Sequence, residues 1–211
     1  MVDDQIVQVD GYSILRQDRN TSSGGVILYI RSTLKASVLA RSDTEAPGRP
    51  LQPEYLMCRV WSDSMPPVLV CLIYRSPQVP LNADPNFLAN LRDLCSFYSH
   101  KVIMGDLNTD LLDSGSATKY VKSIFNELSL QIINHGATNH PPGFDIVRTW
   151  IDLICVDSND SFLSFENKNP PIVPVITSLM LNLNCLYLNL LRKVLIIGNL
   201  IILLRRTPME F

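Results

Sequence analysis

The sequence lacks a long apolar run, a closely spaced cysteine pair, a histidine pair at ligand spacing and an excess of positive charge. Each absence excludes a class of protein. Val194 to Leu204 falls short of the roughly 20 apolar residues that a membrane-spanning helix needs. The run before it is broken by Asn182, Asn184 and Asn189, and Arg192 and Lys193 divide the two. Charged residues at mid-helix cost about 2.5 to 3.5 kcal/mol each on insertion, which weighs against a membrane segment. A membrane-associated product through 176–204 stays only as an alternative. The cysteines Cys58, Cys71, Cys95, Cys155 and Cys185 are odd in number and show no C-x-x-C spacing. They read as reduced, buried thiols of an intracellular chain. His100, His135 and His140 form no pair at helical spacing, which argues against zinc, and the last two fall in a loop, NHGATNHPPG. With Lys+Arg 18 against Asp+Glu 20, a polyanion would have to be met by local groups and not by overall charge. Met1-Val2-Asp3-Asp4 has no basic region and no apolar run, so no secretory signal is expected and the chain is placed in the nucleus or cytoplasm.

What is present is enough apolar residue, 46% of 211, to bury a sizeable core. Charged residues are 18%, below the roughly 25% usual for soluble domains. From Gly11 to Asp157 strand-like and helix-like segments alternate, as in an α/β or α+β domain. Strands are predicted at Tyr12–Arg16, Gly25–Ile30, Glu54–Trp61, Val68–Tyr74, Val102–Met104 and Thr149–Val156. Val68–Tyr74 is apolar on both faces and reads as central in its sheet. Asp84-Pro85 predicts a helix start, with Asp as N-cap and Pro at the first helical position. A second amphipathic helix is predicted over Thr118–Leu128, burying Val121, Ile124 and Phe125. The pattern breaks down afterwards, so 1–165 is taken as the domain and 166–211 as a divergent apolar tail without assignment.

Chemistry concentrates at Gly105-Asp106-Leu107-Asn108, directly after the apolar strand. An extended chain there would project Asp106 and Asn108 to the same side, since side-chain direction has period 2. A carboxylate that orients and deprotonates water, with an amide that fixes the nucleophile or a phosphate oxygen, suits phosphodiester hydrolysis. The same residue types are also ordinary turn formers, and GDLN alone leaves both readings open. Tyr74 ends the central strand, where it could stand as a core residue or bring a phenol to the site. Asp152 is a lone acid in an apolar strand, TWIDLICV, where it either faces water at an edge or takes a partner.

Taken together and in order, GYSILRQDR, GGVILYIRSTL, LIYRSP, VIMGDLNTDLL and TWIDLICVDS resemble the endonuclease/exonuclease/phosphatase superfamily. Within it they are similar to the apurinic-endonuclease-like domain of non-LTR (LINE-type) retrotransposon reverse transcriptase proteins. The similarity covers about Val7 to Asp157. It implies a four-layered sandwich, two β-sheets face to face with helices outside, here incomplete. It further implies a Mg2+-dependent site that cleaves DNA, with no small-molecule cofactor. Tyr74 matches the active-site tyrosine, Asp106 the acid that orients or activates water, Asn108 the asparagine that contacts nucleophile and phosphate, and Asp152 the aspartate that supports the catalytic histidine. Arg16, Asp18 and Arg19 match a family motif, as an ion pair or as DNA contacts.

The departures have their own consequences. The family's metal-binding glutamate belongs upstream of the GY motif, and neither Asp3 nor Asp4 fits it, which leaves Asp106 the nearest metal candidate. The closing Ser-Asp-His triplet does not occur. Catalytic residues act as a unit, so the resemblance implies a domain truncated at both ends with impaired or absent activity. A non-catalytic remnant that binds DNA or protein is the alternative, and whether the chain is an enzyme stays open at this point.

Overall fold

The computed structural model describes residues 9–18, 25–43, 52–63, 65–134, 137, 149–157, 193–197 and 200–204. They form ten strands and two helices: β1 (Tyr12–Asp18), β2 (Gly25–Arg31), β3 (Lys35–Arg41), β4 (Glu54–Ser62), β5 (Met65–Tyr74), α1 (Pro85–Phe97), β6 (His100–Asp106), α2 (Ser116–Glu127), β7 (Gln131–Ile132), β8 (Asp152–Val156), β9 (Lys193–Ile197) and β10 (Leu200–Leu204). One sheet has the order β1-β2-β10-β9 and the other β3-β4-β5-β6-β8-β7. Every pairing is antiparallel except β5 with β6. That parallel pair is where a crossover is required, and α1 supplies it.

Alternation along the strands sorts the apolar residues onto two faces. Leu56, Cys58 and Val60 of β4, Val70 and Leu72 of β5, Met104 of β6 and Ile154 of β8 meet Val26, Leu28 and Ile30 of β2. This is the core between the sheets. The alternate residues Met57, Cys71, Ile73, Ile103 and Leu153 face α1 and α2, which contribute Phe87, Leu91, Val121, Ile124 and Phe125. The described helices therefore flank the six-stranded sheet. The outer face of the four-stranded sheet has no described helix against it. The two-sheet α/β sandwich that the motifs implied is present.

Local chemistry explains both helices. Asp84 caps α1 by accepting from the Asn86 N–H at 2.9 Å, Pro85 occupies the first turn, and Phe87, Leu88, Leu91 and Cys95 form the buried stripe. The Phe87 ring packs tilted on Tyr55 of β4, centroids 5.0 Å apart. Helix α2 begins at Ser116, two residues before the predicted start, and an exposed Arg92–Glu127 pair links it to α1.

One expectation needs correction here. The predicted strand from Thr149 is regular only from Asp152, because the preceding residues serve the loop after β6 instead. The Leu107 N–H donates to the Ile151 carbonyl (3.0 Å), the Leu111 N–H to the Trp150 carbonyl (2.8 Å), and the Trp150 N–H to Asp110 Oδ1 (2.9 Å). Within the apolar tail, 193–197 and 200–204 are strands, and β10 lies along β2 with Leu200 opposite Ile30 and Leu204 opposite Val26. The rest of the tail, Arg19, His135 and His140 lie outside the described residues. Among the described residues no helix is long and apolar enough to cross a membrane.

All four described cysteines are buried and free, matching the reading of reduced thiols. Burial pushes Cys58 up to about 12 and Cys95 to about 11, and holds Cys71 and Cys155 well above the ordinary thiol value. Burial also lifts Tyr29 to about 12, against the attraction of Arg16. The fold favours the protonated form of each group. That contribution is complete below the ordinary thiol value of 9.0 and is lost as pH climbs toward 12. The melting temperature, followed by circular dichroism, is expected to fall steadily above pH 9 with no matching loss between pH 7 and 8.5.

Candidate functional site

Register brings the candidate residues together. Tyr74 pairs with Asp106 across β5 and β6, and Asp106 pairs with Asp152 across β6 and β8. Paired residues share a face, so these three side chains form one row on the inter-sheet side at the end of the sandwich. Strands lie about 4.8 Å apart, so the row is roughly 10 Å long. Tyr74 is 4% exposed and Asp106 is 1% exposed.

Asn108 joins this row, though not by strand alternation. The strand ends at Asp106, and Asn108 takes a left-handed conformation, φ 45°. Its N–H donates to Asp106 Oδ1 at 2.9 Å, closing an Asx turn, and its side-chain amide donates to the Arg75 carbonyl at 2.6 Å. The extended geometry expected from the sequence is replaced by a turn that returns the amide toward β5. Asn is one of the few residues that tolerate this backbone without a glycine.

The turn depends on Gly105, whose φ is +152° and where a Cβ would overlap the Ile73 carbonyl of the neighbouring strand. Gly105→Ala must therefore separate β5 from β6 beside Asp106. A loss of about 1 to 3 kcal/mol in urea unfolding is expected from the overpacking.

A fourth member went unread in the sequence. Glu54 opens β4 opposite Tyr74 and is 2% exposed. Its Oε2 accepts from the Gly25 N–H of β2 at 2.6 Å, joining the two sheets at the same end. An acid heading the apolar run EYLMCRVW was the available signal, since a buried carboxylate requires a donor. Arg75 was also passed over, although it directly follows the central strand. It is 9% exposed, with burial pushing its guanidinium below its ordinary value and the charge of Asp106 drawing it back up.

Arg16 and Asp18, left open between ion pair and DNA contact, form an ion pair, Nε to Oδ2 3.2 Å. Both occupy the strand positions alternate to Leu15, which packs in the inter-sheet core, and so belong to the outer face of their sheet.

Among the described residues no group of three His, Cys, Asp or Glu could hold a metal ion. The row instead offers Asp106 and Asp152 side by side. Mg2+ typically takes one or two carboxylates with waters and substrate phosphates, so this donor set fits that mode and does not form a cage.

By sequence the chain matches no family model and no curated protein. Among solved structures it is similar to the endonuclease domain of TRAS1, a telomere-specific non-LTR retrotransposon, with 11% identity, TM-score 0.54, and coverage of 93% of this chain and 79% of that one. A mannosyl-6-phosphatase of Bacteroides thetaiotaomicron gives 14% identity and TM-score 0.49, covering 75% of this chain and 66% of that one. The human Nocturnin catalytic domain gives 9% and 0.48, covering 92% of this chain and 71% of that one. Identities this low establish fold alone, and in fold this chain is a two-sheet α/β sandwich like that retrotransposon endonuclease domain.

Proposed function

We propose that the chain is a phosphodiester hydrolase acting on DNA with Mg2+, of the non-LTR retrotransposon endonuclease kind, and that its turnover is impaired. The row Tyr74–Asp106–Asp152, with Asn108 turned back onto Asp106, carries this reading. In the proposed reaction Asp106 orients and deprotonates the attacking water, and Asn108 fixes the nucleophile or a phosphate oxygen. Tyr74 brings a phenol to the phosphate from the adjacent strand. Asp152 supports the row from β8. Bound Mg2+ would offset charge on the phosphoryl oxygens. Removing a general acid or base typically costs 10² to 10⁴ in rate, and the family's closing histidine has no counterpart in this sequence. Slow turnover follows from that.

The test is conversion of supercoiled plasmid to nicked circles by the purified 211-residue chain, with Mg2+ and with chelator, beside the TRAS1 domain. Expected is slow, chelator-sensitive nicking. Folded protein that binds DNA in a salt-dependent way but never nicks would replace this reading with the non-catalytic one. Release of phosphate from a sugar or lipid monophosphate, without nicking, would make it a phosphatase.

A further inference from the structure

The Asp106–Thr109 turn is built around one buried side chain that does not belong to the row. The Arg75 N–H donates to the Asp106 carbonyl at 2.9 Å, and the Arg75 carbonyl accepts from the Asn108 amide at 2.6 Å. Its guanidinium donates through Nη2 to Thr109 Oγ1 at 2.6 Å and through Nη1 to the Val79 carbonyl at 2.5 Å. Thr109 completes the relay by donating its own hydroxyl to the Leu107 carbonyl, 3.4 Å. Arg75 thus meets backbone or side chain of Asp106, Asn108 and Thr109, and ties them to the segment after β5. Asn tolerates a left-handed backbone at a small cost, and these bonds fix the turn in which Asn108 adopts it. The planar fork of Arg reaches Val79 and Thr109 at once, which a lysine cannot do.

We infer that Arg75 and Thr109 are positioning residues: through the guanidinium–hydroxyl bond they hold Asn108 in the conformation in which it meets substrate. This rests on the hydrolase reading for its effect on rate, while the conformational claim stands apart from it. Neither residue is placed on the reacting atoms.

The experiment compares the full chain with Thr109→Val, Thr109→Ser and Arg75→Lys. Three readouts are taken: single-turnover nicking, affinity for a labelled duplex without Mg2+, and protection of the Asn108 side-chain amide from hydrogen exchange by NMR. Thr109→Val is expected to lower the nicking rate about tenfold or more, with duplex affinity within twofold and Asn108 protection lost. Thr109→Ser should restore both, and Arg75→Lys should behave like Thr109→Val. A merely structural role would lower the melting temperature while leaving the rate per folded molecule and Asn108 protection unchanged, and that result overturns the inference. If the parent chain does not nick, the hydrolase reading fails by itself. Asn108 protection then decides alone: its survival in Thr109→Val and Arg75→Lys refutes the clamp, and its loss supports it.

Discussion

Asp106→Ala is expected to remove Mg2+-dependent nicking, by about 10² to 10⁴ relative to the parent chain, which from a slow parent leaves nothing above background. Two losses combine in that variant. The carboxylate that would take the proton of water disappears, and so does Oδ1, the acceptor that closes the turn on the Asn108 N–H. Asp106→Asn separates them, since an amide oxygen can still accept that bond at similar geometry but is no base. If basicity is the requirement, Asn is nearly as inactive as Ala. If the turn is the requirement, Asn keeps most of the activity. Stability gives the complementary reading: Ala should lose about 1 kcal/mol from the missing hydrogen bond, and Asn less. Full nicking by a folded Asp106→Ala would remove Asp106 from the chemistry and with it the proposed reaction.

The parts of the fold that were legible in the sequence are those where one local rule acts without competition. Asp84-Pro85 announces α1 because capping and a fixed φ act within three residues. Val26–Ile30 and Leu69–Tyr74 are apolar at successive positions because each run is buried throughout. Strand β3 (KASVLAR) passed unread because Val38 and Leu39 stay largely exposed and give no clear two-residue alternation. Register across strands cannot be read locally. That Glu54, Tyr74, Asp106 and Asp152 align depends on pairings separated by up to 46 residues, from Asp106 to Asp152. The resemblance supplied three of the four, and Glu54 fell outside its motifs. Asn108 was placed by the right neighbours for the wrong reason, since an Asx turn and not alternation brings it to Asp106. Arg75 was invisible because its partners lie 34 residues away at Thr109 and in the backbone after β5.

Deleting residues 193–211 is expected to cost the chain its cooperative fold. Strand β2 is bounded on one side by β1 over seven paired residues and on the other by β10 over five, Val26 to Ile30. Without β10 and β9, the four-stranded sheet shrinks to a two-stranded ribbon, which is marginal in water even when one face is covered. The uncovered edge would be the run VILYI, with no charge, proline or bulge to blunt it. Val26, Leu28 and Ile30 fill the inter-sheet core, so fraying of β2 opens the six-stranded sheet as well. The loss is then comparable to a whole domain's stability, about 5 to 15 kcal/mol. The sequence carried a signal for this pairing: in VLIIGNLIILL two β-rich apolar runs, Val194–Ile197 and Leu200–Leu204, flank Gly198-Asn199, a two-residue hairpin signature. A search for helical stripes or membrane spans misses it, because beyond Lys193 both strands are apolar at every position and show neither period. Light scattering on size exclusion should find the full chain monodisperse and 1–192 aggregated, with no cooperative melt. A monodisperse 1–192 with an unchanged melting temperature would show that β10 contributes nothing to holding β2.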